Sequence, residues 1–341
     1  MISDSRLADF RATALAFENH IRQVIIGQDG AIRLMTIAVF ARGHVLLEGG
    51  VGVGKTTLLR AVARAVGGAY ERIEGTVDLM PSDLIYYTYL DEKGKPGVSP
   101  GPLLKYGEGL STFFFNEINR ARPQVHSLLL RVMAERSMTA FNREFVFPHL
   151  QVFADRNRVE KEETFELPAA ARDRFMMEIR IEAPTDRVLL DRLMVEPRFH
   201  HIDSLIETIP AGLLSYTALN ELAETLQNRI HVSERLRSYV LDLVLAAWQP
   251  QKFGIGLGGD AEGSGELLDA GVSPRGMSYL LRLARVHAWL NARDQVVPED
   301  IQTLFAPAIA HRLFLKPMFE YRRNEIIPEL ISGLLRGISA P

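Results

Sequence analysis

A chain of 341 residues has room for about two domains and a sizeable buried core. Its 39 basic and 42 acidic residues leave a formal charge of -3, which offers no electrostatic footprint for nucleic acid or an anionic membrane, though it does not exclude a local basic pore. Cysteine is absent, which excludes disulfides, thiol catalysis and cysteine-bound metals.

No apolar run approaches the roughly 18 residues that a membrane span requires. Met1 to Asn19 is broken by Asp4, Arg6, Asp9 and Arg11, so nothing reads as a targeting segment. A soluble cytoplasmic protein is the expectation. Along the chain, Leu7, Phe10, Leu15, Phe17, Ile21 and Ile25 give residues 4 to 24 the spacing of an amphipathic helix. Val24-Ile25-Ile26-Gly27-Gln28 then forms an apolar turn before a second helix, Asp29 to Ala41; such a turn either joins helices or wraps an adenine.

The strongest signal follows. Val45-Leu46-Leu47 reads as a strand, Gly49 to Thr56 as a glycine loop, and Leu58, Leu59, Val62, Ala63 and Val66 as one face of a helix. The loop fits G-x-x-x-x-G-K-[ST]. Backbone N–H groups of Gly50, Val51, Gly52, Val53 and Gly54 would curl around phosphates at the positive end of the helix, with Thr57 in its first turn. Lys55 would reach the β- and γ-phosphates, and Thr56 would offer its hydroxyl to Mg²⁺. Nucleoside triphosphate binding is therefore expected.

Gly67-Gly68 stops this helix, and residues 69 to 73 read as a short strand. Tyr86-Tyr87-Thr88-Tyr89 before the turn Asp91 to Gly97 reads as a projecting hairpin that touches substrate, or as an ordinary surface loop. Thr112-Phe113-Phe114-Phe115 is a buried strand whose C-terminal end delivers Asn116 and Glu117 to the crevice where open α/β sheets bind ligands. Glu117 suits the orientation of an attacking water. Asn116 stands where P-loop enzymes ordinarily carry an Asp; its carbonyl could still accept from a Mg²⁺-bound water, so hydrolysis is expected to be possible but slow.

A third buried strand, residues 150 to 154, ends at Asp155-Arg156-Asn157-Arg158, where Asn157 either places the water and γ-phosphate or caps a turn. Leu167 to Phe175 puts Arg172 and Arg174 at the end of a short helix. Beyond Glu182, amphipathic runs (Thr185 to Val195, Leu213 to Ile230, Ser233 to Trp248, Ser278 to Asn291, Ile301 to Leu315) give a helical domain joined near Ala183-Pro184. Residues 253 to 265 have the composition of a flexible surface loop. Ser273-Pro274-Arg275-Gly276 starts a helix, with Arg275 at a helix N-terminus where a nearby phosphate would explain a cation. Val297-Pro298-Glu299-Asp300 starts another, and His200-His201 reads as a solvated pair rather than a metal site.

The ordered series Ile26-Gly27-Gln28, LLEGGVGVGKTTL, RIEGTVDLMPSD, Pro100-Gly101-Pro102, NEINRA from Asn116, LLLRVMAE from Leu128, LPAAARDRF from Leu167, GVSPRG from Gly271 and VVPEDI followed by His311-Arg312-Leu313 resembles the MoxR family of AAA+ ATPases over roughly residues 20 to 315. The resemblance implies an α/β fold: a P-loop αβα core with a parallel sheet over residues 1 to 182, an insert at about 79 to 100 facing a pore, and an all-α lid over 183 to 341. It implies ATP and Mg²⁺ at the interfaces of a homo-oligomeric ring, usually a hexamer. Lys55 and Thr56 take the Walker A roles, Asn116 and Glu117 Walker B, Asn157 sensor 1, Arg174 the arginine finger and Arg275 sensor 2. Ile26 and Gly27 would line the nucleotide.

Members of that family act as chaperone-like remodellers that mature protein complexes, often with von Willebrand factor A partners. Two departures stand out. The family tends to ATQNP where this chain has ADRNR, so Asp155 could restore the charge that Asn116 lacks, and Arg172 beside Arg174 leaves the finger open by two residues. The leading expectation is an ATP-hydrolysing remodeller; an ATP-gated assembly switch with little turnover is the alternative. A nucleic-acid motor is disfavoured by the acidic balance and by the lone Lys93 and Lys95 in the insert.

Overall fold

The computed structural model describes residues 2–157, 165–255 and 267–341, which divide into two units. The first holds Ile2–Arg174 and Ile179–Glu221; the second holds Phe175–Glu178 and Leu222–Pro341.

In the first unit α1 (Asp4–Val24) starts at Ser3, whose hydroxyl accepts from the N–H of Arg6, and α2 (Asp29–Ala41) follows. Phe17 and Phe40 meet edge to face with ring centres 6.4 Å apart, fixing the two helices together. Then come β1 (Val45–Gly49), α3 (Lys55–Val66), β2 (Ala69–Glu74), α4 (Pro81–Ile85), β3 (Tyr86–Leu90), β4 (Pro96–Pro100), β5 (Leu110–Asn116), α5 (Pro123–Glu135), β6 (Ser137–Ala140), β7 (Arg143–Val146), β8 (Gln151–Asn157), α6 (Ala169–Arg172), β9 (Met177–Ile181), α7 (Arg187–Val195) and α8 (Ile202–Glu207).

Five strands form one sheet in the order β2-β5-β8-β1-β9, and the pairs β2 with β5, β5 with β8 and β8 with β1 run parallel. A parallel strand covered on both faces reads as a continuous apolar run, and β1 and β5 are buried at every residue. Crossovers put the C-terminal ends of β1, β5 and β8 on one edge, where Gly49, Asn116 and Asn157 end their strands. β3 and β4 pair antiparallel as the projecting hairpin read from the tyrosines. A second hairpin, β6 with β7, turns through Phe141 and Asn142, both at positive φ.

The chain from Ala183 to Glu221 belongs to the first unit, so the join expected at Ala183-Pro184 lies inside that unit. The reason is packing: a Cβ on Gly27 would meet Leu189 and Pro184 at 3.0 Å, so the residues after β9 lie against the turn between α1 and α2. Residues 213 to 218, expected as the start of a helix, lie outside it.

The second unit is mainly helical: α9 (Leu219–Arg229) leads in, followed by α10 (Glu234–Trp248), α11 (Pro274–Leu290), α12 (Pro298–Ile309) and α13 (Arg323–Gly337), with a short antiparallel pair β10 (Leu268–Ala270) and β11 (Phe314–Leu315). Ser233 and Ser273 cap α10 and α11 by accepting the N–H groups of Leu236 and Gly276. His311 and Arg312 are buried, and the Arg312 guanidinium donates to the carbonyl of Phe175 at 2.5 Å. Gly276 is required beside it, because a Cβ there would sit 2.7 Å from Arg312 Cδ. Most of the low-complexity stretch lies outside the described residues, but Ile255 at its start is buried against Gly333 and Gly337 of α13 rather than in a free loop.

Candidate functional site

The loop after β1 turns on Gly52 and Gly54, whose φ values of 75° and 92° fall in the region that glycine adopts without a steric penalty. Gly49 is fixed by a close approach: a Cβ would lie 2.4 Å from the carbonyl oxygen of Ile181 on β9. The loop delivers the chain into α3 at Lys55, with Thr56 and Thr57 half-buried in the first turn and Val51 exposed.

Lys55 is buried and folds back over its own loop, where Nζ donates to the carbonyl of Gly49 at 2.9 Å and to Asn157 Oδ1 at 2.5 Å. It also pairs with Asp155 Oδ2 at 3.1 Å. The other oxygen of Asp155 accepts the backbone N–H of Glu117 at 2.6 Å. Asn157 completes a ring of contacts by donating Nδ2 to Glu117 Oε1 at 2.8 Å, and Arg120 pairs with Glu117 Oε2 at 3.1 Å. The Asn157 amide has one orientation that serves both neighbours, its carbonyl on the ammonium and its NH₂ on the carboxylate.

Two cations, Lys55 and Arg120, thus balance two anions, Asp155 and Glu117. Burial pushes the Asp155 carboxyl above the ordinary carboxylate range, while the Glu117 N–H and the Lys55 ammonium pull the other way.

Glu117 has a left-handed backbone, φ 51° and ψ 49°, uncommon for a residue with a side chain. Gly75 makes room for it: its N–H donates to the Asn116 carbonyl at 2.7 Å, and a Cβ at Gly75 would stand 2.2 Å from the Glu117 oxygen. Asn116 is turned the other way. Its NH₂ donates to Glu74 Oε1 on β2, and Arg72 holds the second Glu74 oxygen at 2.8 Å. Glu74 and Gly75 stand in the RIEG run, but only the parallel pairing of Glu74 with Asn116 reveals what they do.

Beside the loop lies a cavity of about 310 Å³ with mostly apolar walls, among them Ile25, Ile26, Val53, Pro184, Leu190 and Leu205. Thr57 and Gly54 also line it, so the slot is continuous with the glycine loop. Gly27, at φ 75°, and Gln28 fix the turn, the Gln28 side-chain NH₂ donating to the carbonyl of Glu182. An apolar slot running into backbone N–H donors has the chemistry for a purine joined to phosphates.

Arg172 and Arg174 make contacts of their own outside this cluster. Arg174 donates NH1 to the carbonyl of Ala170 at 2.9 Å, while its neighbour Arg172 is buried and holds the Leu167 carbonyl at 3.1 Å and Glu166 at 3.3 Å. Arg275 is exposed in the first turn of α11, in the second unit. His200 and His201 are exposed, and among the described residues no group of three or more His, Asp or Glu is placed to hold a metal ion. The donors near the loop that suit Mg²⁺ are oxygens, from Thr56, Asp155 and Glu117, the chemistry a hard cation takes, while the expected donor Asn116 is engaged with Glu74. Among the described residues no helix is long and apolar enough to cross a membrane.

Comparison with known proteins agrees with this geometry. Residues 44–177 match the ATPase family associated with various cellular activities, and residues 261–330 match an AAA lid domain. Protein MoxR of Methylorubrum extorquens is 58% identical over 99% of this chain and 98% of its own length. Chaperone MoxR1 of Mycobacterium tuberculosis is 32% identical over 94% of this chain and 80% of its own. A crystal structure of a Cytophaga hutchinsonii protein superposes with a TM-score of 0.84 at 28% identity, covering 99% of this chain and 98% of that one. A glycine loop that seats Lys55 on the ends of β1 and β8, together with 58% identity to such a relative over nearly the full length, places the chain in the MoxR family of AAA+ ATPases.

Proposed function

We propose that this chain hydrolyses ATP in a homo-oligomeric ring and uses the cycle to remodel or mature a client protein complex. The observation that carries the reading is the closed set of contacts joining Lys55, Asp155, Glu117 and Asn157, which links the phosphate loop to the water-orienting carboxylate. Entering phosphates would draw Lys55 off Asp155 and Asn157 onto the β- and γ-oxygens, and the amide of Asn157 would turn its NH₂ toward the γ-phosphate and the water. Glu117, fixed at its backbone by Asp155, would accept the hydrogen of the attacking water. Magnesium, when bound, would neutralise charge on the β- and γ-oxygens, with Thr56 and a neighbouring carboxylate or amide oxygen as its protein side. Ile26 and Gly27, with the backbone of Gly50 to Gly54 and Thr57, would seat the nucleotide.

Arg174 is the better candidate for a finger supplied to the neighbouring subunit. Arg172 is buried and holds the backbone of its own loop, whereas Arg174 is half-buried and bound to one nearby carbonyl. Arg275 would act as the sensor that closes the lid on ATP. The β3–β4 hairpin, with Tyr87, Tyr89 and Leu90 exposed, is the segment we assign to the client, and a von Willebrand factor A protein is the expected kind of partner. The chaperone name carried by the mycobacterial relative supports the remodelling role.

A second reading, an ATP-gated assembly switch with little turnover in a hexameric ring, draws support from Asn116, whose amide faces Glu74. Steady-state hydrolysis with Mg²⁺, nucleotide binding and assembly state, measured together on the native chain and Glu117→Gln, separate the two. The ATPase reading expects native turnover that Glu117→Gln stops while ATP still binds. Rings that form on ATP without native turnover would leave the switch.

A further inference from the structure

In the ATPase reading, on which this inference rests, the strand carrying Glu117 should also carry the acid that serves the magnesium shell, yet Asn116 has no charge. Its side chain is committed elsewhere. The NH₂ donates to Glu74, and Glu74 in turn is held by Arg72, so the amide belongs to a chain of contacts running toward the β2 edge.

The neighbouring strand supplies what is missing. β8 lies between β5 and β1 in the sheet, and its register places Ala154 opposite Phe115 and Asp155 opposite Leu47. Asp155 therefore stands one residue beyond the last β5–β8 pair, level with Asn116 at the β5 end, and sits beside the strand that opens the phosphate loop. It is 1% exposed and directly follows the buried apolar run Val152, Phe153 and Ala154. A buried carboxylate is costly unless partnered, and packing alone would favour an apolar residue there. Both its oxygens reach groups of the phosphate site: one the Lys55 ammonium, the other the Glu117 N–H.

We propose that Asp155 replaces the absent Walker B carboxylate, serving the magnesium shell from β8 and positioning Glu117 through its backbone N–H, while Asn116 is a structural link to Glu74. A carboxylate at both positions would set like charges side by side next to Glu74 and Glu117. Asn116→Asp in the native background should therefore not raise hydrolysis, whereas the same change should rescue a chain whose Asp155 has been neutralised.

The test is equilibrium binding of a fluorescent N-methylanthraniloyl ATP, with Mg²⁺ and with EDTA, to the native chain, Asp155→Asn, Asn116→Ala and the double variant Asp155→Asn with Asn116→Asp. The quantity read is the ratio of the two affinities within each chain, which a merely destabilised fold does not change. Loss of a group supporting a bound metal costs about 10-fold to 100-fold in metal affinity. The native ratio should fall by at least about tenfold in Asp155→Asn, hold within about threefold in Asn116→Ala, and return in the double variant.

A ratio that Asp155→Asn leaves intact, or that Asn116→Ala abolishes, overturns the inference alone, as does a native chain that binds with no magnesium gain. A native chain that does not bind the analogue overturns the ATPase reading as well. Should Asp155→Asn fail to fold, the double variant carries the test: a native ratio supports the exchange of positions and a lost ratio overturns it.

Discussion

Asp155 in the first unit and Asp300 in the second are each 1% exposed, yet their surroundings differ in kind. Asp300 receives Arg293 in a two-toothed pair at 2.6 Å, His287 Nδ1 at 2.8 Å and the Val297 N–H at 2.9 Å, where it closes the first turn of α12. Burial works against its charge, but these donors outweigh burial and hold its carboxyl down at about 2. Asp155 has one cation and one N–H, and there burial wins. All the partners of Asp300 are intrinsic to the fold, so it is settled without a ligand. The main partner of Asp155 is a lysine that an incoming phosphate would claim. Buried charge that is fully answered is structure; buried charge answered by a transferable partner marks a site.

Substitutions in the two clusters should therefore change different quantities. Glu117→Gln keeps the shape of the side chain and the backbone bond to Asp155, so it should lower hydrolysis by about 10²-fold to 10⁴-fold, as expected for a lost general base, and leave the unfolding midpoint unchanged. Trapping of ATP-bound rings on the same variant checks that binding survives. Asp300→Asn should do the converse. Removing one member of a buried ion pair costs about 3–5 kcal/mol, and the lower end applies because the partly exposed Arg293 can turn to water. Denaturant unfolding should show the loss while nucleotide affinity stays native; a matching loss of affinity would mean that the two clusters are not separable in this way.

What could be read in the sequence follows the range of the interactions. The span of α2, the glycine loop and the β1 and β5 runs were all visible because each depends on neighbours in sequence: helical spacing, glycine at positive φ, unbroken apolar strands. Ser273 could be read as a cap for the same reason. The partner of Asn116 could not, since Glu74 meets it only through the pairing of β2 with β5. The β6–β7 hairpin lacked its signal because a phenylalanine stands at the first positive-φ position of the turn, where Asn or Gly would have announced it. Residues 183 to 221 read as the start of the helical lid, because the packing of Pro184 and Leu189 on Gly27, which ties this stretch to the first unit, joins positions far apart in sequence. Asp155 was conspicuous as a charge ending an apolar strand, but its two partners became visible only when β1, β5 and β8 were set side by side.

Acid sharpens the comparison, because the two carboxyls should act in different pH windows. A folded-state value near 2, below the ordinary 3.8, means that Asp300 contributes stability above the ordinary value and loses it as pH falls from about 4 through 2. The displacement corresponds to about 2 kcal/mol. Asp155 has the opposite sign: raised above 3.8, it favours the folded state as pH falls toward the ordinary value, and its contribution is complete before that of Asp300 begins to fade. Subtracting the unfolding profile of Asp300→Asn from that of the native chain should isolate a fall of about 2 kcal/mol confined between pH 4 and pH 2. A difference that is flat across that interval would mean that Arg293 and His287 do not hold Asp300 in solution, and the contrast between a settled and a transferable buried charge would lose its settled half.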